Sequence, residues 1–583
     1  VEGLNSVNAD PANYSAHRFL ADSYANLPRH GIARASELLQ SQLLQPINVT
    51  PVPPSLAESS LFILEGAGPS DPSFNEFNPL FERDRLALQA SGVAGGNSIL
   101  GDELIQSGLQ GRFSYSLGQF YYETDGFRKN NDQDQNIYNA FAQAALSHKT
   151  SIQAEYRYTD LDAGDLLLKF RPTEFSNSLR QESINRTLRL GLHHAFNPRS
   201  DLIASVSYWD GDLDIYESFH DEFFGIDGAS DFDIDSDGYM AEIQHMFHSS
   251  RFSVTSGLGY FNADSKHVEI MSYSPDFFME DTTTIHHYHT HHTNLYVYSL
   301  INYPQEVTWT IGGSADFFRG GTRDLDHNQL NPKLGLTWNP FSGTTLRASA
   351  FRTLTRTLIS NQTLEPTQVA GFNQFFAERN GTESRVYGIG VDQELSSVVY
   401  GGVEFVERDM DVIFFDLNKL ENQETDWEEN LARVYLYWTP RPWLATSVEY
   451  QYERFERRDE FIGPDLFYNI KTQRVPLGIN FFHPSGFIAG LKATYVDQKG
   501  KFRVLDSEEE TPDDDQFWVV DASIGFRLPK RRGLVTIEVR NLFDESFKFQ
   551  DTDTVSIEDM AALPLNPQIS PECLILAKVT LNF

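Results

Sequence analysis

The sequence predicts an all-β protein, a transmembrane antiparallel β-barrel of about 22 strands behind a short N-terminal α-helical hairpin, on three observations. Apolar and polar residues alternate with period two over many segments. No stretch reaches the ~18 to 20 continuous apolar residues of a membrane helix. Short proline-containing turns alternate with long acidic segments. Mean hydropathy is below zero although 13% of the 583 residues are aromatic. A closed barrel reconciles these facts, because its backbone groups pair internally while every second residue faces water.

The wall strands carry the clearest pattern. Ile152, Ala154, Tyr156 and Tyr158 interleave with Gln153, Glu155, Arg157 and Thr159, which sends one set to lipid and the other to the lumen. Val535, Ile537 and Val539 alternate in the same way with Thr536, Glu538 and Arg540, and Val448, Tyr450 and Tyr452 with Glu449, Gln451 and Glu453. Charges on the second face are costly in lipid and therefore line the interior.

Turn chemistry orients the barrel. Short turns at Asn197-Pro198-Arg199-Ser200, Tyr303-Pro304-Gln305, Asn339-Pro340 and His483-Pro484-Ser485-Gly486 are expected on the periplasmic side. The acidic segments 212–237, 264–290, 356–382, 408–427, 498–516 and 544–568 are expected as outer loops. The last strand alternates Ile575, Ala577, Val579, Leu581 and Phe583, and a terminal aromatic there resembles the signal read by the barrel-assembly machinery. Such a barrel belongs in a bacterial outer membrane, in contact with lipid and lipopolysaccharide.

A formal net charge of −36 argues against a nucleic-acid partner, since phosphate neutralisation needs a basic face. Cys573 is the sole cysteine and has no disulfide partner in the chain. Val1 is not followed by a leader-like run, so a signal peptide is expected to have been removed or to lie upstream.

Two sets of residues resemble a known family. Val539-Arg540-Asn541-Leu542-Phe543-Asp544 with Phe547 resembles the Asn-Leu-Phe-Asp motif near the end of TonB-dependent receptors. Asn331-Pro332-Lys333-Leu334-Gly335-Leu336-Thr337-Trp338, then Leu346-Arg347-Ala348-Ser349 and Leu364-Glu365-Pro366, resembles the mid-barrel hairpin and following loop of that family. The resemblance implies a 22-stranded barrel over residues 84–583. It also implies a plug domain of well over a hundred residues, for which residues 1–83 are too short and wrongly patterned.

Residues 1–42 read instead as a periplasmic helical segment. Ala16, Phe19, Leu20, Tyr24 and Leu27 recur at helical spacing, and Ile32, Ala35, Leu38 and Leu39 continue after Pro28. The run Ala16-His17-Arg18-Phe19-Leu20-Ala21-Asp22-Ser23-Tyr24 resembles part of a tetratricopeptide repeat; the alternative is a plain helical hairpin packed under the barrel. A lone repeat cannot bury its own face, so a protein partner in the periplasm or at the surface is expected through residues 1–42. Residues 43–83 read as an irregular linker, too aromatic to stay solvated, part of which is expected to enter the barrel mouth.

Two candidate metal sites stand out. Asp231-Phe232-Asp233-Ile234-Asp235-Ser236-Asp237-Gly238 has the one-three-five oxygen spacing of a calcium loop, but Gln244 stands where the bidentate Glu belongs. Asp233, Asp235 and Asp237 are its candidate ligands, and a solvated acidic loop is the alternative. In the run His286 to His292, the side chains of His287, His289 and His291 share one face of a strand and are candidates for a transition metal. No nucleophile elbow, phosphate-cradling loop or cysteine metal motif is present, which argues against an enzyme. Three functions fit these features: a channel or docking platform coupling periplasmic partners to the cell surface, a receptor-like importer of a bulky or metal-bearing ligand whose plug is lost or supplied by another chain, and a surface protein with cation-binding loops.

Overall fold

The computed structural model describes residues 2–24, 30–53, 81, 84–221, 226–273, 280–321, 325–376, 378–416, 421–457, 467–503, 510–552 and 569–583. Antiparallel strands form one 22-stranded sheet. It closes where the first strand, Arg85–Gly95, pairs with the last, Leu574–Asn582, from Gln89 opposite Asn582 to Gly95 opposite Leu576. No described helix is long and apolar enough to cross a membrane.

The two-residue period sets which face is which. On Thr150–Ala163, Ile152 and Tyr156 are exposed on the outside while Gln153 is buried inside. On Gly533–Arg540, Val535 and Ile537 face out, and Thr536 and Glu538 are buried. In water such an apolar exterior would be a large unfavourable surface; in lipid it is the solvated one.

Four consecutive strands, Ser200–Asp221, Ile226–His248, Phe252–Tyr273 and Thr282–Asn302, have 22, 23, 22 and 21 residues. About 9–11 residues suffice to cross a bilayer, so these strands rise well beyond it. Outward Tyr208 pairs with Tyr239, whose ring lies 5.8 Å from that of Tyr260, and together they form an aromatic edge. Beyond this edge the outer face becomes acidic. The segments 212–237, 264–290, 408–427 and 498–516, expected as loops, are therefore largely paired strand. Their carboxylates alternate with inward apolar residues, so Leu213, Ile215 and Ile234 still pack together inside while the acids face water.

Among the described residues three helices precede the barrel: α1 (Glu2–Ala9), α2 (Tyr14–Tyr24) and α3 (Gly31–Leu44). The expectation set this segment beneath the barrel; α3 lies against the inner wall. Leu39, Leu43 and Leu44 pack on Ile203, Met246 and Leu364, and eleven of the fourteen residues of α3 are buried. Burying each leucine is worth about 1.5–3 kcal/mol, and the lumen supplies the apolar partners that a neighbouring repeat would otherwise provide. Gly191 on the wall makes room, since a Cβ there would come within 2.5 Å of Leu43 Cδ2. After α3 the described linker residues continue along the inner wall: Gln143 Nε2 donates to Gln45 O at 3.0 Å, and Phe81 packs on Ala87 and Leu109. The remainder of the 43–83 stretch, residues 54–80 and 82–83, lies outside the described residues.

Candidate functional site in the barrel lumen

The lumen holds a connected set of buried charges and hydrogen bonds. After the strand Thr344–Leu354 the chain turns inward, and residues 355–376 and 378–382 fold into the ring before the strand Glu383–Ser396 begins. Charge pairing holds this loop. Arg356 donates to Glu365 at 2.8 Å and to Asp316 of the wall at 3.2 Å. Asp316 also accepts from Asn331 at 2.6 Å and lies 3.0 Å from His292 Nε2, while Tyr298 donates to Glu365 at 2.8 Å. Burial alone would lower the Arg356 pKa; the Glu365 and Asp316 carboxylates outweigh it and raise it. Leu364, Glu365 and Pro366, which resembled a family motif, stand at the centre of this network, with Glu365 only 1% exposed.

A small hairpin at the tip of the loop, Gln368–Val369 with Phe372–Asn373, turns through Ala370 and Gly371, both at positive φ. It grips the helices. Gln368 hydrogen-bonds Tyr24 Oη, Asn373 hydrogen-bonds His30, and Phe375 stacks on His30 at 6.5 Å. Gly388 admits the hairpin, because a Cβ there would meet the Phe372 ring at 2.5 Å. On the other side, Gln42 donates to Glu155 at 3.1 Å, and Gln153 donates to Gln42 O at 2.6 Å.

Two histidines in the helical layer sit in opposite environments. Burial pushes His30 down to about 3, and nearby Arg433 adds to the effect. Burial would also lower His17, but the Glu37 carboxylate outweighs it and raises the imidazole pKa. Arg18, buried against Gln45 and the Thr50 carbonyl, is pushed down to about 10 by desolvation.

Beside the helices lies a cavity bounded by Leu20, Tyr24 and His30 on one side and by the wall residues Arg347, Arg433 and Arg474 on the other. Arg347 pairs with Asp392 at 2.7 Å and Glu404 at 2.8 Å, and Arg433 pairs with Glu449 at 2.9 Å. Toward the outer side, segment 164–179 crosses the mouth to meet the carboxy-terminal segment. Phe170 stacks on Phe502 at 3.8 Å, its N–H donates to Gln550 at 3.1 Å, and Asp551 N donates to Leu168 O at 3.0 Å.

The metal candidates lie elsewhere, on the outer face above the aromatic edge. Asp231–Gly238 is not a coiled calcium loop but part of the paired strand Ile226–His248, which sets Asp233, Asp235 and Asp237 in file, about 6.6 Å apart. His287, His289 and His291 do share one face of their strand. Strand register aligns the two sets: Asp237, Asp264 and His289 form one row, and Asp235, Lys266 and His287 the next. The intervening strand keeps each aspartate about 9.6 Å of backbone spacing from its histidine. His289 Nδ1 instead meets Asp264 at 2.5 Å, and His291 accepts from Asn262 at 2.7 Å. Among the described residues no group of three His, Cys, Asp or Glu side chains is arranged to hold a metal.

Sequence reasoning gave no role to Arg347, Arg356, Arg433, Arg474 or His30. Alternation alone marks the three wall arginines as lumenal; nothing local signals that the 355–382 segment turns inward.

The barrel has the shape of known outer-membrane transporters. It superposes on the FrpB iron transporter from Neisseria meningitidis (F3-3 variant) with a TM-score of 0.63 at 12% identity, covering 86% of this chain and 82% of that one. For the copper transporter OprC the values are 0.64, 11%, 86% and 80%. For the ferripyoverdine receptor of the Pseudomonas aeruginosa outer membrane they are 0.63, 12%, 86% and 72%. These likenesses concern the fold. No curated protein sequence matches the chain. Residues 101–542 match the family described as TonB dependent receptor-like, beta-barrel, and the chain belongs to that family.

Proposed function

We propose that the protein is a gated outer-membrane importer of a bulky or metal-bearing ligand, in which α1–α3 and the inward loop together form the stopper. One observation carries this reading: the helices and the 355–382 hairpin interlock inside the ring, through Tyr24 with Gln368, His30 with Asn373, and Ser36 with Thr363. An open 22-stranded ring would hold a wide aqueous channel, and a stopper tied to the wall by hydrogen bonds and ion pairs suits regulated passage. The likeness in fold to transporters of iron, copper and ferripyoverdine agrees with it.

The docking-platform reading draws less support. It assigns the tetratricopeptide-like face of α2 and α3 to a periplasmic partner, and most of α3 is spent on the inner wall. Phe583, 73% exposed just past the closing strand, is our candidate for recognition by the barrel-assembly machinery.

The test is uptake of radiolabelled ferric and cupric chelates by cells with and without the protein, before and after collapse of the proton-motive force. Accumulation that requires both protein and energy supports import. If the cells take up no chelate beyond the control, the reading fails.

A further inference from the structure

The cavity beside the helices has an asymmetry of charge. Arg347 and Arg433 spend their charge on Asp392, Glu404 and Glu449. Arg474, on the inner face of the strand Phe467–Phe482, has no ion pair among the described residues, and its Nε lacks a hydrogen-bond partner. Its one described contact of note is with an aromatic face: the guanidinium lies 5.4 Å from the Phe549 ring centroid. Phe549 belongs to the carboxy-terminal segment that also meets the outer crossing, and Thr552 of that segment donates to Glu453 beside the cavity at 3.3 Å. The opposite side mixes Leu20, Tyr24 and Phe375 with the polar His30 and Asn373, and Glu453 also lines the chamber. A cavity with one guanidinium free of ion pairs among the described residues, set opposite aromatic and apolar groups, suits a small molecule with an anionic end and a ring or hydrocarbon body.

We propose that this chamber binds a compact organic anion, a carboxylate or phosphate ester, with Arg474 holding the anionic group. The anionic oxygens accept from the guanidinium nitrogens, and the body lies against Leu20, Tyr24 and Phe375. The two paired arginines set the walls without competing for the ligand, since their donors are engaged by Asp392, Glu404 and Glu449. The proposal goes beyond the import reading and does not depend on it, since a compact organic anion is not the bulky or metal-bearing cargo.

Four probes of one size and different charge test it: benzoate, phenyl phosphate, neutral benzamide and cationic benzamidine, titrated calorimetrically into the full chain in detergent. Benzoate and phenyl phosphate should bind saturably and benzamide about ten-fold more weakly or worse, as loss of a charge-assisted hydrogen bond requires. Arg474→Gln should weaken benzoate by a similar factor, and Arg474→Lys should retain most of the binding. Folding of each variant is checked by electrophoretic mobility in cold detergent; if the glutamine variant fails to fold, the charge series on the wild type decides alone. Benzoate binding no tighter than benzamide, no saturable heat with any probe, or unchanged binding by a folded glutamine variant overturns the proposal. Chelate uptake on the same cells separates the two readings: a failed charge series with intact uptake removes only the chamber, and a positive series without uptake removes only the import reading.

Discussion

The hydroxyl of Ser36, on α3, accepts the backbone N–H of Thr363 at 3.2 Å. Residues 327 positions apart in sequence thus join the amino-terminal helices to a loop that enters from the far side of the barrel. Thr363 extends the link, since its hydroxyl donates to Glu242 of the wall at 2.7 Å. Helix and loop form one connected layer tied to the wall, and disturbing either is expected to loosen the other.

Leu43→Asp should free α3 from the wall. It places a charge among Leu39, Ile203 and Met246 and costs about 3–5 kcal/mol of docking energy, while the barrel, whose strands pair independently of the helix, stays closed. Amide exchange resolved by peptide should rise over 31–44 and stay unchanged over Gly533–Arg540.

Arg356→Met leaves Glu365 and Asp316 buried without their cation. Removing one partner of a buried pair costs about 3–5 kcal/mol, so the 355–382 loop should lose exchange protection and single-channel conductance in a planar bilayer should rise. Replacing Glu365 by Met in the same chain should restore part of the protection, because a methionine pair leaves fewer carboxylates uncompensated.

Docking of the helices should be strongest near neutral pH. His30 is neutral in the folded state, with a pKa of about 3, so protonation of the released state from pH 6.5 downward favours release, by about 2 kcal/mol at pH 5. His17 acts in the opposite direction: its folded pKa is raised, so its contribution is present below pH 6.5 and is lost as pH climbs through the raised value. Exchange rates in α2 and α3 measured against pH should therefore show two limbs. His30→Asn should remove the acid limb and His17→Gln the alkaline one.

Asp235→Ala should leave calcium calorimetry unchanged. Along their strand the carboxylates stand in file. Among the described residues no three acidic or histidine side chains, cross-strand Asp210, Asp212 and Asp264 included, are arranged to hold an ion, so calcium is expected to find fewer than the six or more oxygens it requires. A calcium heat present in the parent and lost in the variant would contradict this.

The wall was legible from the sequence, and the stopper was not. Ile152 out and Gln153 in, or Val535 out and Thr536 in, follow from period two alone, because lipid and lumen impose opposite demands on neighbouring residues. Beyond the membrane edge charge misled: the acids at 212–214 and 231–237 read as loop because charge is common in loops, yet Leu213, Ile215 and Ile234 keep the strand period between them. The helices were visible from Leu38 and Leu39, but their partner was Ile203 and Met246, about 160 and more residues away, and apolar residues on a wall strand carry no mark of what they touch. His30 lacked any local signal, since its environment is made by Asn373 and Phe375 from another part of the chain. The histidine and aspartate runs drew attention by composition, and strand register then kept them apart.

The central claim, that the amino-terminal helices lie inside the ring, is tested most directly by thiol labelling. Cys573 is the native cysteine and is exposed, so it serves as an internal reference for a membrane-impermeant maleimide. In a Leu43→Cys variant the new thiol should react at least about 100-fold more slowly than Cys573, because only openings of roughly 3 kcal/mol or more would expose it. Labelling of residue 43 at the rate of Cys573 would mean that α3 does not occupy the lumen, and the account of a built-in stopper would be wrong.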